Sequence, residues 1–384
     1  MRLAIFLITV ISLFTLLGIY LFTRMGQAFP ASIMGLKITL VLYIFILISF
    51  FLGKVLERTS INILSDALIR IGAVSAGFFV FGIFSILFFD ILRGVNHLIP
   101  FYPEFITANY AKSKLIIGLG TLGFISIIML IGFLNTINPK VKTLELDIQK
   151  PSSSLKELNI VAVSDIHLGT MVNHKKTKRL ISMINELKPD VVLIGGDIID
   201  DNIKVVQHDE LVEHFKEIKS KYGVYSCLGN HEYISGAQKE LNYFEKNGIK
   251  MLVDTAVTID GKFNIIGRDD IQAQASSGIP RKSITELQSE LNISLPTLLL
   301  DHQPYKLEEA SQTGIDFQFS GHTHNGQFWP LNYITGMIFE QDWGYLKKKD
   351  SHFYISSGYG TAVIPIRLGN DSEIVNIKLR NSLK

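Results

Sequence analysis

The chain has one cysteine in 384 residues, Cys227, so no disulfide can form within it. Basic residues outnumber acidic ones by only two. A balance so close to neutral supplies no field suited to nucleic acid, and no nucleic-acid partner is expected. No GxxxxGK[ST] sequence is present, which removes the usual signature of P-loop phosphoryl transfer. No Cys/His spacing suits a zinc finger, and no internal repeat or low-complexity tract occurs. Histidine is scarce, at 10 residues, so where it falls is informative.

Apolar residues are abundant and unevenly placed. Residues 1–136 are overwhelmingly apolar, with runs at 3–22, 31–52, 72–89 and 115–134. A helix needs about 20 apolar residues to cross about 30 Å of hydrocarbon. Lys37 lies near one end of the second run, where it can snorkel to the headgroups. The first run is longer than a signal-peptide core, and no small-x-small cleavage site follows closely. Four such runs joined by short polar loops predict a multi-pass membrane region. The connection 94–112 carries Phe101, Tyr102, Phe105 and Tyr110, as an interfacial loop would. Arg2, Lys54, Arg58, Arg70, Lys140, Lys142 and Lys150 flank one side, against Arg24, Lys37, Arg93, Lys112 and Lys114 on the other. That excess puts both ends in the cytoplasm, in a plasma-membrane protein. The runs hold almost no ionisable residue, Asp90 lying at the edge of the third, so the region is expected to anchor rather than transport.

Residues 137–155 form a linker with Pro139, Pro151 and Ser152, Ser153 and Ser154. Within it, 141–148 alternates apolar and polar and suits an edge strand. Beyond it the pattern predicts strands at 158–164, 191–194, 224–228, 262–266, 297–300, 316–319, 353–356 and 373–379. Helices are predicted at 176–187 and 210–221. Strand–helix alternation followed by a β-rich half predicts a layered α/β domain over 156–384.

Five short motifs fall at or near strand ends, where ligands bind in open α/β sheets. Asp165-Ile166-His167 places a carboxylate and an imidazole two residues apart, on one side of an extended segment. Gly196-Asp197-Ile198-Ile199-Asp200 follows a strand and a glycine pair; Asp197 can bridge two cations, and Asp200 can orient a nearby histidine. A turn followed by a helix cap would use the same residue types. Gly229-Asn230-His231-Glu232 adds a neutral oxygen ligand and a histidine able to protonate a leaving oxygen. His302, with Pro304, follows the strand at 297–300. Gly321-His322-Thr323-His324 repeats the i, i+2 spacing, so both rings can face one pocket. Five of the ten histidines sit in these motifs. The remaining five, 97, 174, 208, 214 and 352, have no motif and are expected on the surface or in loops. Cys227 is expected as buried packing. The stretch 328–334 is aromatic and apolar; it suits a lipid-facing lip, or else an ordinary cap loop or buried hairpin.

Together, in this order, the motifs resemble the calcineurin-like metallophosphoesterases over roughly 156–380. The run Gly321-His322-Thr323-His324-Asn325-Gly326-Gln327 and the ending Ser357-Gly358-Tyr359-Gly360 to Pro365-x-Arg367-Leu368 resemble the bacterial membrane-associated branch, which has glycine at the position of Asn325. The resemblance implies a four-layer αββα sandwich, preceded here by an all-α region of four transmembrane helices. It implies two divalent metal ions, from Mn, Fe, Zn, Mg or Co. Asp165, His167, Asp197 and His324 would hold the first, and Asp197, Asn230, His302 and His322 the second. His231, oriented by Asp200, would be the acid or charge stabiliser. Two divalent cations against Asp165 and Asp197 leave about two positive charges, which suits a phosphoester. The expected reaction is hydrolysis of a phosphomonoester, phosphodiester or pyrophosphate by hydroxide from an activated water, with a lipid among the candidate substrates. The rival expectation is a non-catalytic membrane sensor or scaffold that keeps the metal-binding fold.

Overall fold

The computed structural model describes residues 2–29, 32–150 and 153–382. Ala31 of the second apolar run, Pro151 and Ser152 of the linker, and residues 383–384 lie outside the described residues. The chain divides into two compact units, Met1–Gly132 and Phe133–Lys384.

The first unit is helical: α1 (Arg2–Ala28), α2 (Ile33–Thr59), α3 (Ile63–Leu98), a single turn α4 (Glu104–Thr107), and α5 (Tyr110–Ile137). Each of the four long helices has the length and apolar composition to cross a membrane. Their outward faces expose Ile8, Val41, Phe88 and Ile127, the reverse of a soluble bundle. Ser32 caps α2 and Asn62 caps α3, each accepting from backbone N–H groups of the first turn. Close approach of α2 and α3 depends on glycine. A Cβ on Gly72 would lie 2.3 Å from Phe50 N, and one on Gly53 2.7 Å from Ile69 N.

The second unit begins with β1 (Lys140–Ile148) and β2 (Glu157–Val163). Then come α6 (His174–Glu186), β3 (Val191–Ile194), α7 (Ile203–His208), β4 (Val224–Ser226), α8 (Asn230–Ser235), α9 (Leu241–Lys246) and β5 (Ile249–Met251). Next are β6 (Thr255–Ile259), β7 (Phe263–Gly267), α10 (Gln272–Ser277), α11 (Ile284–Gln288), β8 (Thr297–Leu300), α12 (Leu307–Gln312) and β9 (Phe317–Ser320). The unit ends with α13 (Leu331–Ile338), β10 (Gly344–Lys348), β11 (Ser351–Ile355) and β12 (Glu373–Asn381). Two six-stranded mixed sheets result, ordered β1-β12-β2-β3-β4-β5 and β10-β11-β9-β8-β7-β6.

Alternation along the strands sorts the side chains into layers. Leu158, Ile160 and Leu193 of the first sheet meet Phe263, Leu298 and Phe317 of the second. Val161, Val163 and Val192 point the other way, onto Leu180, Ile184 and Phe215. Ile266, Leu299 and Phe353 pack outward on Ile284 and Leu307. The order is helix, sheet, sheet, helix, the sandwich the resemblance implies. The predicted edge strand of the linker is β1, paired parallel to β12.

Three expectations need correction. No α-helix spans 210–221. Glu210 has φ 50°, which breaks the run, and Val212–Glu217 is a 3-10 turn with Val212 and Phe215 buried. That i, i+3 spacing suits a three-residue turn. His352 is not a surface residue: it is buried in β11, with Nδ1 2.8 Å from Tyr345 OH and Nε2 3.1 Å from Asp147 O. Phe328 is buried, so it belongs to no exposed lip; the exposed apolar face lies on Trp329 and α13.

Candidate metal centre

All nine predicted site residues come together. The loops after β2, β3, β4, β8 and β9 carry them, at the ends where parallel strands point their termini. The DxH segment is not extended as predicted. Asp165 and His167 both have left-handed backbone, φ 50° and 52°. Asp197, His322 and His324 do too, at 52°, 72° and 49°. Non-glycine residues held there store strain of order 1–3 kcal/mol each, and such strain gathers at functional sites. Asn325 follows at φ 47°, a conformation asparagine tolerates and glycine would meet as readily.

The glycines of the motifs make room for carboxylates. A Cβ on Gly229 would sit 2.1 Å from Asp197 Oδ1, and one on Gly321 2.2 Å from Asp165 Oδ2. The Gly229 backbone (φ −110°) is ordinary for any residue, so only the side chain is forbidden. Gly229→Ala is therefore expected to keep the secondary structure but displace Asp197. A metal titration followed by calorimetry should show affinity falling by at least about tenfold; unchanged affinity would refute the packing argument.

Among the described residues the donor atoms form three groups, of which one, His167 with Asp200 and His231, shares His167 with the first of the two that hold the predicted ligands. Asp165, His167 and His324 make one, and Asp197, His302 and His322 the other, each with its ligand atoms within 4.8 Å of one another. His167 Nε2 lies 3.1 Å from His324 Nε2, and His324 Nε2 lies 3.6 Å from Asp165 Oδ1. His302 Nε2 lies 3.2 Å from Asp197 Oδ2. Asn230 Oδ1 is 3.2 Å from His302 Nε2 and 2.8 Å from His322 Nδ1. Two atoms bound to one ion at about 2.1 Å stand roughly 3.0–3.4 Å apart, so most of these spacings fit shared cations. The i, i+2 pair divides: His324 joins the first group and His322 the second.

Ring orientation suits ligation. His302 Nδ1 donates to Gly195 O at 2.7 Å, which leaves the Nε2 lone pair facing Asp197 and Asn230. His231 Nδ1 donates to the Asp200 main-chain carbonyl, while the Asp200 carboxylate lies 3.9 Å from that nitrogen. The same carboxylate stands 3.5 Å from His167 Nδ1. Asp200 thus touches His231 through its backbone and faces His167 with its side chain.

The electrostatics describe a demand for positive charge. Burial resists protonation of His167, but the Asp200 hydrogen bond and the Asp197 and Asp165 charges push it up to about 9. His302 is raised in the same way, against burial, by Asp197. Burial works to raise Asp197, yet the His302 charge holds it well below the usual carboxylate range. Asp165 is raised by burial. Burial holds His322 at about 4, and it lowers His324 together with the charges of His167 and Arg367. These two rings are neutral, as metal ligands must be.

Two contributors carry no role in the sequence reading. Glu232, fully buried, accepts from the backbone N–H of Asp197, Ile198, Ile199 and Gly229 at 2.7–3.0 Å. It ties the Asp197 loop to the first turn of α8. Burial lifts its carboxyl to about 7. A glutamate three residues after Gly229, at a helix start, is the available signal, since this is half of a capping box. Arg367, also fully buried, donates to Gly360 O at 2.6 Å and lies 3.3 Å from His324 Nδ1. Only its place in the Ser357–Leu368 ending hinted at it.

Residues 158–326 match the family described as calcineurin-like phosphoesterase. An uncharacterized metallophosphoesterase of Campylobacter jejuni is 32% identical over 263 residues, covering 67% of this chain and 69% of its own length. The chain belongs to the calcineurin-like metallophosphoesterases. The family is one of metal-dependent phosphoesterases, and this chain carries His/Asp clusters able to hold metal ions. A transmembrane protein with metallophosphoesterase domain from Danio rerio is 31% identical over 271 residues, covering 67% of this chain. A Helicobacter pylori metallophosphoesterase is 30% identical over 243 residues, covering 63%. The chain spans 61% and 64% of those two relatives' lengths.

Proposed function

We propose that this metallophosphoesterase is a membrane-anchored, two-metal enzyme. Asp165, His167, Asp197 and His324 hold one cation, and Asp197, Asn230, His302 and His322 the other. The position of Asp197 carries the reading. Its Oδ1 accepts from His231 N–H at 2.9 Å, and its Oδ2 faces both donor groups. Oδ2 lies 3.2 Å from His302 Nε2 in one group and 4.0 Å from His167 Nε2 in the other. When bound, the two cations, from Mn, Fe, Zn, Mg or Co, supply Lewis-acid activation of water and neutralise phosphoryl charge. With its Nδ1 proton on the Asp200 carbonyl, His231 turns Nε2 to the leaving oxygen or the phosphoryl oxygens. The Asp200 carboxylate positions the His167 ring. The full complement of ligands, with His231 beside them, supports an enzyme over a sensor or scaffold.

The test is metal content and hydrolysis by the full chain in detergent. Mass spectrometry should find about two ions per chain, and an aryl phosphodiester should be cleaved with Mn²⁺ and not after chelation. Failure with all five metals would overturn the reading. His231→Ala should keep both ions and lose roughly 10²–10⁴ in kcat; loss of an ion instead would make His231 a ligand.

A lipid phosphoester is the substrate class we favour. The support is α13, where Tyr333, Ile334, Met337 and Ile338 stand exposed beside Trp329, Met337 at 85%. A contiguous exposed apolar face marks an interaction surface, and a domain tethered by four spanning helices works near a lipid surface. The helix leads into Phe339, whose ring lies 6.1 Å from the His322 ring. Trp329→Ser with Met337→Ser should reduce turnover of a phospholipid in vesicles at least about tenfold and leave the aryl diester unchanged. Equal loss on both would reject the lipid reading. The lysine and arginine asymmetry supports a cytoplasmic catalytic unit.

A further inference from the structure

The helical unit forms a half-open cavity of about 540 Å³ lined by α1, α2, α3 and α5. Sites for small molecules run from roughly 300 to 1,000 Å³, so the space suits a ligand. Its walls are apolar, with Leu21, Phe79, Ile86, Ile117 and Ile125 among them. Charge enters through four lining residues only: Arg24, Asp90, Arg93 and Lys114. Arg24 is near the end of α1, Asp90 and Arg93 are near the end of α3, and Lys114 is near the start of α5. In antiparallel crossings those three helix ends share one side of the bundle. The cavity thus has a polar mouth and an apolar body.

The mouth is organised around a carboxylate. Asp90 Oδ2 accepts from Tyr20 OH and Arg24 Nη2, each at 2.5 Å, and Asp90 Oδ1 lies 3.2 Å from Arg93 Nη2. Lys114 Nζ lies 4.9 Å from the centre of the Tyr110 ring. Two cations thus pair with one carboxylate, and Lys114 adds a further positive charge to the lining. These charges sit at helix ends, where basic side chains can meet anionic headgroups. An anchor requires none of this, because a closed apolar bundle would hold the domain as well. The positive surplus at the mouth calls for an anion, and the apolar walls call for a hydrocarbon chain.

We propose that this cavity binds one anionic amphiphile, its phosphate or carboxylate head at Arg24, Arg93 and Lys114 and its acyl chain along Phe79 and Ile125. The site requires the helices to lie in a bilayer and is independent of the phosphoesterase chemistry. It makes the helical region a receptor for a lipid-like molecule as well as a tether.

The test uses the full chain in phosphatidylcholine nanodiscs and a phosphatidic acid carrying a photoreactive diazirine on its acyl chain. Irradiation should label cavity residues of α3 and α5, read by peptide mass spectrometry. Unlabelled phosphatidic acid or oleate should displace the probe, and which of them displaces it at lower concentration tells a phospholipid from a fatty acid. Arg93→Gln should reduce labelling about fivefold, the effect of one basic contact to an anionic headgroup. Thr121→Trp, which fills the chamber without touching a charge, should abolish it. Labelling spread over the outer helix faces, or indifferent to both substitutions, would mean surrounding lipid only and would overturn the proposal. Displacement by inorganic phosphate alone would overturn it too.

Discussion

Asp197→Asn will reduce phosphoester hydrolysis by more than about 10²-fold in the full chain with metal supplied. Loss of a group that merely supports a ligand costs 10–100-fold, so a larger fall separates a bridging ligand from a positioning one. The substitution keeps size and shape. Asparagine Oδ1 still accepts the His231 N–H that Asp197 accepts at 2.9 Å, and the backbone amide remains on Glu232 at 2.9 Å. The loop therefore stays in place. What changes is the atom between the two donor groups, where an amide replaces a charged oxygen 3.2 Å from His302 Nε2. Metal content should fall below two ions per chain along with kcat. Activity within tenfold of the native chain would remove Asp197 from the centre of the mechanism.

Glu232→Ala will cost stability on the order of 4 kcal/mol or more, independently of metal. Four backbone N–H groups point at this carboxylate from two loops. Each buried donor left without an acceptor costs about 1–3 kcal/mol. Urea unfolding in the presence of chelator isolates the effect, because no ligand then contributes. Glu232→Gln should be intermediate, since it keeps one acceptor oxygen and turns an NH2 toward the remaining donors. If alanine is tolerated within about 1 kcal/mol, water must reach these amides and the carboxylate is not the clasp.

The sheets were readable because their central strands are short, apolar and punctuated. Val191–Ile194 and Thr297–Leu300 match the predicted ranges to the residue. The strands that escaped reading, β5, β6 and β10, all lie at sheet edges. There one flank is unpaired and polar residues intervene, as Lys250 does between Ile249 and Met251. The ligands were readable because scarce histidines cluster beside strand ends. Their backbone was not: a left-handed Asp165 or His324 leaves no trace in composition, and spacing alone made the DxH segment look extended. Nor does sequence tell a side-chain contact from a main-chain one. Asp200 was expected to orient His231 and does touch it, but through its carbonyl. The pairing of Arg24 with Asp90 joins residues 66 apart, each ordinary in its own run.

The first sheet also sets an order of events during synthesis. β12 lies between β1 and β2, so the strand that opens the second unit has no neighbour in its sheet until residues 373–381 exist. Ribosomes add about 5–20 residues per second, so β1 waits on the order of 10–50 s after it is made. Every ligand of both donor groups has left the ribosome before that strand arrives. During the interval β1 is an exposed edge, and its charged pattern of Lys140, Lys142, Glu145 and Asp147 discourages pairing with other nascent chains. Helix insertion and sheet closure are in this way separated in time, with insertion first and closure last.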